Sequence, residues 1–190
     1  ILRIDDVEVV NYNAGAVPGL VARAEVLDLD GSVRWQGSAP VDSVEDGVLA
    51  PLRLEFPAPL SPVHFVRLKL TRADGLVSEN FYWRGVEEGD FRALRTLPKV
   101  RLEVTTRTER QGDRFALTTE LRNPSDRPAL MVRVAPVRAR SGDRILPALW
   151  SDNYVALMPG ERRSIRTEVE ARDARGEEPR IVVDGFNLSS

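Results

Sequence analysis

Apolar residues recur at every second position through most of this chain. Between residues 100 and 107, for example, valine, leucine and threonine alternate with arginine, glutamate and threonine. The same two-residue period runs through residues 115–122 and 165–171. Successive side chains of a β-strand point to opposite faces, so this period predicts antiparallel strands with one buried face and one solvated face. A 3.6-residue period is not sustained over any dozen residues, which argues against long helices.

Turn-forming pairs separate these alternating segments at short intervals. They include Asp30-Gly31, Asp74-Gly75, Asn123-Pro124 and Pro159-Gly160. Such residues supply the positive φ angles and local hydrogen bonds that tight turns need. Short strands at regular spacing predict a β-sandwich. We expect strands near residues 4–12, 20–29, 32–36, 48–56, 63–72, 77–84, 100–107, 114–122, 129–138, 143–150, 162–171 and 180–186.

Residues 85–98 break the alternation. This stretch holds Glu87, Glu88 and Asp90 and ends in a Leu-Pro pair, so we interpret it as a connector with one helical turn near residues 90–95. The flanking segments of about 90 residues match the usual size of an immunoglobulin-like sandwich, roughly 100 residues. The fold prediction is therefore all-β: two tandem immunoglobulin-like antiparallel β-sandwiches, with a domain at 1–84, a connector at 85–98 and a C-terminal domain at 99–190.

Composition excludes several classes of function. With no Cys and one His among 190 residues, the chain has no thiolate zinc site, no disulfide and no metal site built on two imidazoles. The 27 basic residues are balanced by 29 acidic ones, so no basic surface predicts nucleic-acid binding. Uncharged apolar stretches fall far short of the ~20 residues that a membrane helix needs. Neither a nucleic acid nor a membrane is expected as a partner.

The residue inventory also argues against catalysis. His64 shares the strand phase of Val66 and Leu68, which favours a buried structural imidazole over a catalytic base. The nucleophile motif Gly-x-Ser-x-Gly does not occur. Carboxylates fall mostly in turns or on solvated strand faces, and Asp28-Leu29-Asp30-Gly31 fits a β-hairpin turn better than a calcium loop. We predict no catalytic residue, no metal ligand and no cofactor.

Aromatic residues are the remaining candidates for a binding role. Strand alternation places Phe81 and Trp83 on one face and Tyr82 on the other, so structural packing is favoured for two of these three. Phe65 is expected to face outward, at an interface with a missing neighbour. The candidates for contact with a sugar or with a neighbouring domain are Trp35, Tyr82, Trp83, Trp150 and Tyr154.

Several short sequence segments, taken together, resemble those of a known family. The chain resembles the C-terminal region of glycoside hydrolase family 2 enzymes of the exo-β-glucosaminidase and β-mannosidase type. The run from Trp150 to Glu161, with Ser-Asp-Asn-Tyr followed by Pro-Gly-Glu, carries most of this resemblance. The other strings are Val-Val-Asn-Tyr at 9–12, Leu-Asp-Leu-Asp-Gly at 27–31, Ser-Glu-Asn-Phe-Tyr-Trp at 78–83, Asp-Phe-Arg-Ala-Leu at 90–94 and Leu-Arg-Asn-Pro-Ser at 121–125.

The resemblance implies a supporting role. In that family two immunoglobulin-like domains follow a catalytic (β/α)8 barrel, and the catalytic glutamates belong to the barrel. This chain looks like those two domains, and none of its glutamates matches the catalytic pair. It would be a non-catalytic fragment that braces the missing barrel of its own parent chain, a retaining hydrolase of β-mannosides or β-glucosaminides. By analogy with the family, the site of action would be periplasmic or extracellular.

Two other functions stay open at this point. The chain could be a stand-alone carbohydrate-binding or cell-surface adhesion module, with carbohydrate as its partner. Such a module calls for a line of exposed aromatic side chains on one sheet. A self-sufficient enzyme is the third reading, and the residue inventory argues against it. The opening Ile-Leu-Arg-Ile, without Met, indicates a piece of a longer protein.

Overall fold

The computed structural model describes residues 5–12 and 14–189, and their regular structure is almost entirely β, which confirms the all-β prediction. The chain divides into two compact units, Ile1–Thr96 and Leu97–Ser190. The strands of the first unit are β1 (Asp6–Asn11), β2 (Val17–Asp28), β3 (Val33–Ser43), β4 (Gly47–Arg53), β5 (Val63–Arg72) and β6 (Gly75–Gly85). Those of the second are β7 (Glu103–Gln111), β8 (Arg114–Arg122), β9 (Ala129–Arg138), β10 (Ala148–Trp150), β11 (Val155–Leu157), β12 (Arg162–Glu170) and β13 (Pro179–Asp184).

The first unit packs a four-stranded sheet, in the order β3-β2-β5-β6, against the two-stranded sheet β1-β4. All of its strand pairs are antiparallel. Alternation explains the packing, because Val7 and Val9 of β1 are buried while Asp6 and Glu8 are exposed. The residues that fill the space between the sheets include Val7, Ala24, Val26, Leu54 and Val66.

The second unit packs the sheet β10-β12-β8-β7 against the sheet β11-β9-β13. Its strands have the expected phase: Ile165, Thr167 and Val169 are buried, whereas Arg166 is exposed. The core between the two sheets includes Leu121, Val132, Val134, Leu157 and Ile165.

The two units share one topology of strand pairing. In the first, β1 pairs with β4, and β2 pairs with β3 and β5. In the second, β8 pairs with β12, and β9 pairs with β11 and β13. The corresponding strands follow the same order along the chain, so β1 is the counterpart of β8 and β4 is the counterpart of β12. The second unit adds β7 beside β8 and β10 beside β12, whereas the first adds β6 beside β5.

The expected strand positions were right for most elements and wrong at three places. Strand β3 runs on to Ser43, beyond the expected end at residue 36, and β10 keeps only the last three residues of the segment expected at 143–150. Strand β11 was not expected at all. The hairpin between β2 and β3 is confirmed, since the Gly31 amide donates to the Asp28 carbonyl at 2.9 Å.

The expectation that Phe65 faces outward was wrong. Phe65 is fully buried, at 0% exposure, because the first five residues of β5 are buried on both faces of the strand. Its pairing neighbour in β2 is Leu27, itself buried, and its ring centroid lies 5.2 Å from that of Phe81. Simple alternation fails here because both faces of a central strand are covered.

The segment after β6 contains the expected helical turn, as a 3₁₀ helix over Arg92–Thr96. This helix packs against β5, and its Leu94 is buried. The Asp90 carboxylate accepts the backbone N–H of Arg92 at 3.0 Å and also pairs with the Arg92 guanidinium. A short side-chain acceptor just before the first turn is what a helix start requires.

Candidate functional site

The single imidazole lies inside the first unit. His64 is 4% exposed and its ring meets Phe56 edge-on, with 5.7 Å between ring centroids, which confirms the expected buried position. The Arg84 guanidinium carbon lies 5.2 Å from the centroid of the same Phe56 ring. Within residues 5–12 and 14–189, no group of three or more histidine, aspartate or glutamate side chains is arranged to hold a metal ion.

The pKa values of three carboxyl groups, those of Asp74, Asp90 and Glu177, lie below the ordinary value. The Arg72 guanidinium lowers the pKa of Asp74, the Arg92 guanidinium lowers that of Asp90 to about 2, and the Ser141 backbone N–H lowers that of Glu177. A general acid at neutral pH needs a raised pKa instead. These three groups therefore hold turns and hairpins together, and do not have the acid character that glycoside hydrolysis requires.

Trp35 lies on β3 and is partly buried against the core of the first unit. It pairs across the sheet with Val26, which is fully buried. Gly37 leaves room for the indole, because a Cβ at that position would stand 2.7 Å from the ring. The local structure explains this tryptophan by packing.

Tyr82 and Trp83 are neighbours on β6 but point to opposite faces of its sheet. Tyr82 pairs with Val66 of the core face and is 48% exposed. Trp83 pairs with Phe65 on the other face and is partly buried. Of these two candidates, Tyr82 presents the larger free surface.

Trp150 and Asn153 together fix the segment between β10 and β11 to strand β9. The Trp150 indole N–H donates to the Val134 carbonyl at 2.9 Å, and the Asn153 side-chain N–H donates to the same oxygen at 3.1 Å. The Asn153 side-chain oxygen accepts the Val134 N–H at 2.8 Å. The asparagine thus pairs with Val134 as a neighbouring strand residue would. This accounts for the Trp-Ser-Asp-Asn-Tyr string in structural terms.

Tyr154 is 54% exposed and has a positive φ of 57°. It lies beside Arg133, and the hydrogen bonds that this guanidinium donates to Asp184 and to Tyr154 raise its pKa. The Arg133 Nε donates to the Asp184 carboxylate at 3.0 Å. Tyr154 therefore belongs to a small polar group on the surface of the second unit.

The five aromatic candidates do not belong to one sheet. Tyr82 and Tyr154, the two that are about half exposed, belong to different units, and Trp35 and Trp150 are partly buried by contacts that the fold needs. A line of exposed rings on one sheet, which a sugar-binding module calls for, is not present among residues 5–12 and 14–189. Contact with a sugar or a neighbouring domain stays a prediction for these residues.

Buried asparagines are the structural residues that the sequence analysis missed. Asn187 is 1% exposed; its side-chain N–H groups donate to the carbonyls of Pro98 and Pro128 at 3.1 and 2.8 Å, and its oxygen accepts the Leu130 N–H at 3.0 Å. Asn123 is fully buried and bonds in the same manner to the carbonyls of Arg127 and Leu157. The signal available was their position after an apolar strand: Asn123 directly follows β8, and Asn187 lies a few residues beyond the end of β13.

No helix in the described part of the chain has the length and apolar character needed to cross a membrane.

Comparison with known proteins shows which family the chain is similar to. Residues 80–188 match the family model described as exo-beta-D-glucosaminidase Ig-fold domain. The chain is 31% identical to the exo-β-D-glucosaminidase of Streptomyces avermitilis over 96% of its own length and 23% of that protein. It is 27% identical to the enzyme of the same name from Amycolatopsis orientalis, over 97% of its own length and 20% of that protein.

The solved structures agree with the sequence relatives. The crystal structure of Amycolatopsis orientalis exo-chitosanase CsxA matches 96% of this chain and 24% of that one, with a TM-score of 0.89 and 25% identity. The immunoglobulin-like fold and the resemblance to glycoside hydrolase family 2 are thereby confirmed. The chain spans less than a quarter of the length of each of these three proteins. It belongs to the exo-β-D-glucosaminidase Ig-fold domain family.

Proposed function

We propose that this chain is the non-catalytic C-terminal β-sandwich pair of a family 2 glycoside hydrolase, and that it braces the catalytic barrel of its own polypeptide. The observation that carries the proposal is the alignment of nearly the whole chain, 96%, with only 23% of an exo-β-D-glucosaminidase. The parent enzyme would hydrolyse β-linked glucosamine. Its other three quarters would hold the catalytic residues.

The chemistry of the chain supports a bracing role. Hydrolysis with retention needs two carboxyl groups about 5–5.5 Å apart, one of them a raised-pKa acid. Three carboxyl groups of this chain, those of Asp74, Asp90 and Glu177, instead have a pKa that is lowered by cationic or backbone N–H neighbours. Polar residues that are buried, such as Asn187 and Asn123, bond to backbone carbonyls. They add rigidity to the second sandwich.

A rigid sandwich is suited to bracing because its shape changes little under load. Each unit closes a core between two antiparallel sheets, and close-packed cores resist deformation. Such a support would hold the loops of an adjoining barrel in place without taking part in the reaction. Carbohydrate would meet this chain only where the parent's cleft extends past the barrel.

The source DNA upstream of the codon for Ile1 gives the first test. A (β/α)8 barrel with two glutamates at strand ends is the expected finding. A signal peptide followed by further sandwiches would overturn the proposal and leave a stand-alone carbohydrate-binding module in its place.

Deletion from the parent gives the second test. Removing these 190 residues should lower the thermal midpoint of the barrel and its hydrolysis of an aryl β-glucosaminide, while the separate chain should hydrolyse neither that substrate nor an aryl β-mannoside. Full activity and unchanged stability of the truncated parent would count against bracing. Substantial hydrolysis by the separate chain would count against a non-catalytic role.

A further inference from the structure

Strand β1 of the first unit has a free edge where its counterpart in the second unit does not. In the second unit β8 lies between β12 and β7, and β7 pairs with it antiparallel along its whole length, from Glu103 opposite Arg122 to Gln111 opposite Arg114. In the first unit β1 pairs with β4 on one side only, as far as the described residues go. Within the described residues, the first unit therefore has no strand at the position beside β1 that β7 fills beside β8.

The unfilled position is an open groove. Two adjoining cavities of about 220 and 490 Å³ lie along β1, and both are lined by Val7, Val10, Leu68 and Asn80. Val10 is 42% exposed although it belongs to a sandwich strand. We call this space the edge groove; its further lining residues include Glu8, Val9, Leu70 and Tyr82.

The chemistry of the edge groove fits a β-strand. Its floor is aliphatic, formed by Val7, Leu68 and Leu70, so it suits the apolar side of an alternating strand. Its rim carries Glu8 on one strand and Lys69 on another, so it suits polar residues on the outward side. No described strand other than β4 pairs with β1, and proteins normally pair or cover the second edge of such a strand.

We propose that a β-strand of the same polypeptide, preceding β1 in sequence, adds to the free edge of β1 antiparallel and fills the edge groove. Strand β7, which precedes β8 and pairs with it antiparallel, is the template within this chain. The added strand would complete the two-stranded sheet β1-β4 to three strands and cover Val10. The proposal rests on the proposed function for the existence of that preceding polypeptide.

Hydrogen exchange of the β1 amides tests this proposal on natural material. In the longer polypeptide, the amides of residues 6–11 that point to the free edge, about every second one, should exchange at least about tenfold more slowly than in the 190-residue chain, since a paired edge is protected. The amides of β8, which is paired on both sides in either case, are the internal reference. Equal exchange of the β1 amides in the two proteins would overturn the proposal.

A designed strand tests the edge itself. A nonapeptide of alternating valine with lysine or threonine would be added ahead of residue 1 through a flexible Gly-Ser linker, and the matched control would carry proline at alternate positions of the same extension. The valine extension should slow the β1 amides and the proline extension should not. Equal exchange in both proteins would show that the edge does not accept a strand, which overturns the proposal.

A sugar in the edge groove is the competing outcome. A glucosamine hexamer added to the unextended chain should leave the β1 amides and the Leu68 and Leu70 methyl resonances unchanged. Saturable protection by the hexamer would assign the groove to carbohydrate and overturn the strand. None of these readouts uses the barrel, so failure of the bracing role in the deletion test is distinguishable from failure of this proposal.

Discussion

The carbonyl of Val134 accepts hydrogen bonds from both Trp150 and Asn153, at 2.9 and 3.1 Å. An aromatic side chain that looked like a candidate sugar platform is thus oriented by the backbone of β9. The two donors are not equivalent, however. The Asn153 side chain also accepts the Val134 N–H, so it makes two hydrogen bonds to the Val134 backbone. The Trp150 indole makes one, to the Val134 carbonyl.

We therefore expect Asn153→Ala to destabilise the second unit more than Trp150→Phe. Loss of Asn153 leaves the Val134 N–H without its acceptor, which costs about 1–3 kcal/mol, whereas loss of the indole N–H leaves the Val134 carbonyl still bonded and costs about 1 kcal/mol. Urea unfolding of both variants measures the difference. The control is Leu149→Ala, since that side chain is 67% exposed. Equal destabilisation by the two variants would contradict the pairing role of Asn153.

Asn187→Ala should destabilise the second unit by about 3 kcal/mol, because three backbone groups would lose a partner in a site that excludes water. The groups are the carbonyls of Pro98 and Pro128 and the N–H of Leu130. Ser189→Ala is the matched control, because its exposed hydroxyl makes a single long bond of 3.2 Å. Thermal unfolding of both variants measures the difference. A similar stability of the two variants would contradict the role of Asn187 in stabilising the second unit.

Gly85→Ala should loosen the turn that follows β6. A Cβ at this position would lie 2.5 Å from the carbonyl oxygen of Glu87 and 2.8 Å from that of Asp90, and backbone atoms cannot yield as a flexible side chain does. We expect a loss of about 1–3 kcal/mol from overpacking. Val86→Ala, at a side chain that is 46% exposed, is the control. Differential scanning calorimetry measures the thermal unfolding midpoint of both variants. Equal midpoints would contradict the steric clash expected at Gly85.

The carboxyl group of Asp90 should titrate near pH 2. Its pKa is lowered from 3.8 to about 2, chiefly by the side-chain hydrogen bond to the Arg92 guanidinium and then by the Arg92 backbone N–H. Since the folded-state pKa is depressed, the contribution of this pair to stability is complete above pH 3.8 and is lost as the pH falls through about 2. Carbon-detected NMR titration measures the midpoint.

Arg92→Gln should move the Asp90 midpoint back toward 3.8, because it removes the charge and the side-chain bond while the backbone N–H remains. Arg95→Gln, in the same 3₁₀ helix, should leave the midpoint where it was. An unchanged midpoint in the Arg92 variant would mean that the ion pair does not form.

The alternation of apolar and polar residues predicted the strands well, because most strands have one buried face and one solvent-exposed face. It failed at β5, where Val63, His64 and Phe65 are buried on both sides, since a pattern of period two carries no information about a second covering layer. It also missed β11, three residues that follow the positive φ of Tyr154. Such short strands are defined by their partner, here β9, rather than by local preference.

The candidate site was the harder part to predict. Sequence composition identified Trp35 and Trp150 as large aromatics but could not show that each is partly buried against a core, because burial depends on neighbours distant in sequence. The bond between Trp150 and Val134 spans 16 positions and those of Asn187 span 57 to 89. Long-range backbone acceptors of this kind leave no periodic trace in a sequence.

The distance in sequence between Pro98 and Asn187 also has a consequence for synthesis of the protein. The Asn187 side chain donates a hydrogen bond to the Pro98 carbonyl, 89 positions away in sequence. The backbone of Val100 is also hydrogen-bonded to the backbone of Asn187 and of Ser189. The second unit therefore cannot form these contacts until the chain from Pro98 to Asn187 has left the ribosome. Contacts so far apart slow folding, because the loop must be closed before they are gained. Chaperone binding to nascent chains should accordingly persist on this unit until Asn187 has emerged.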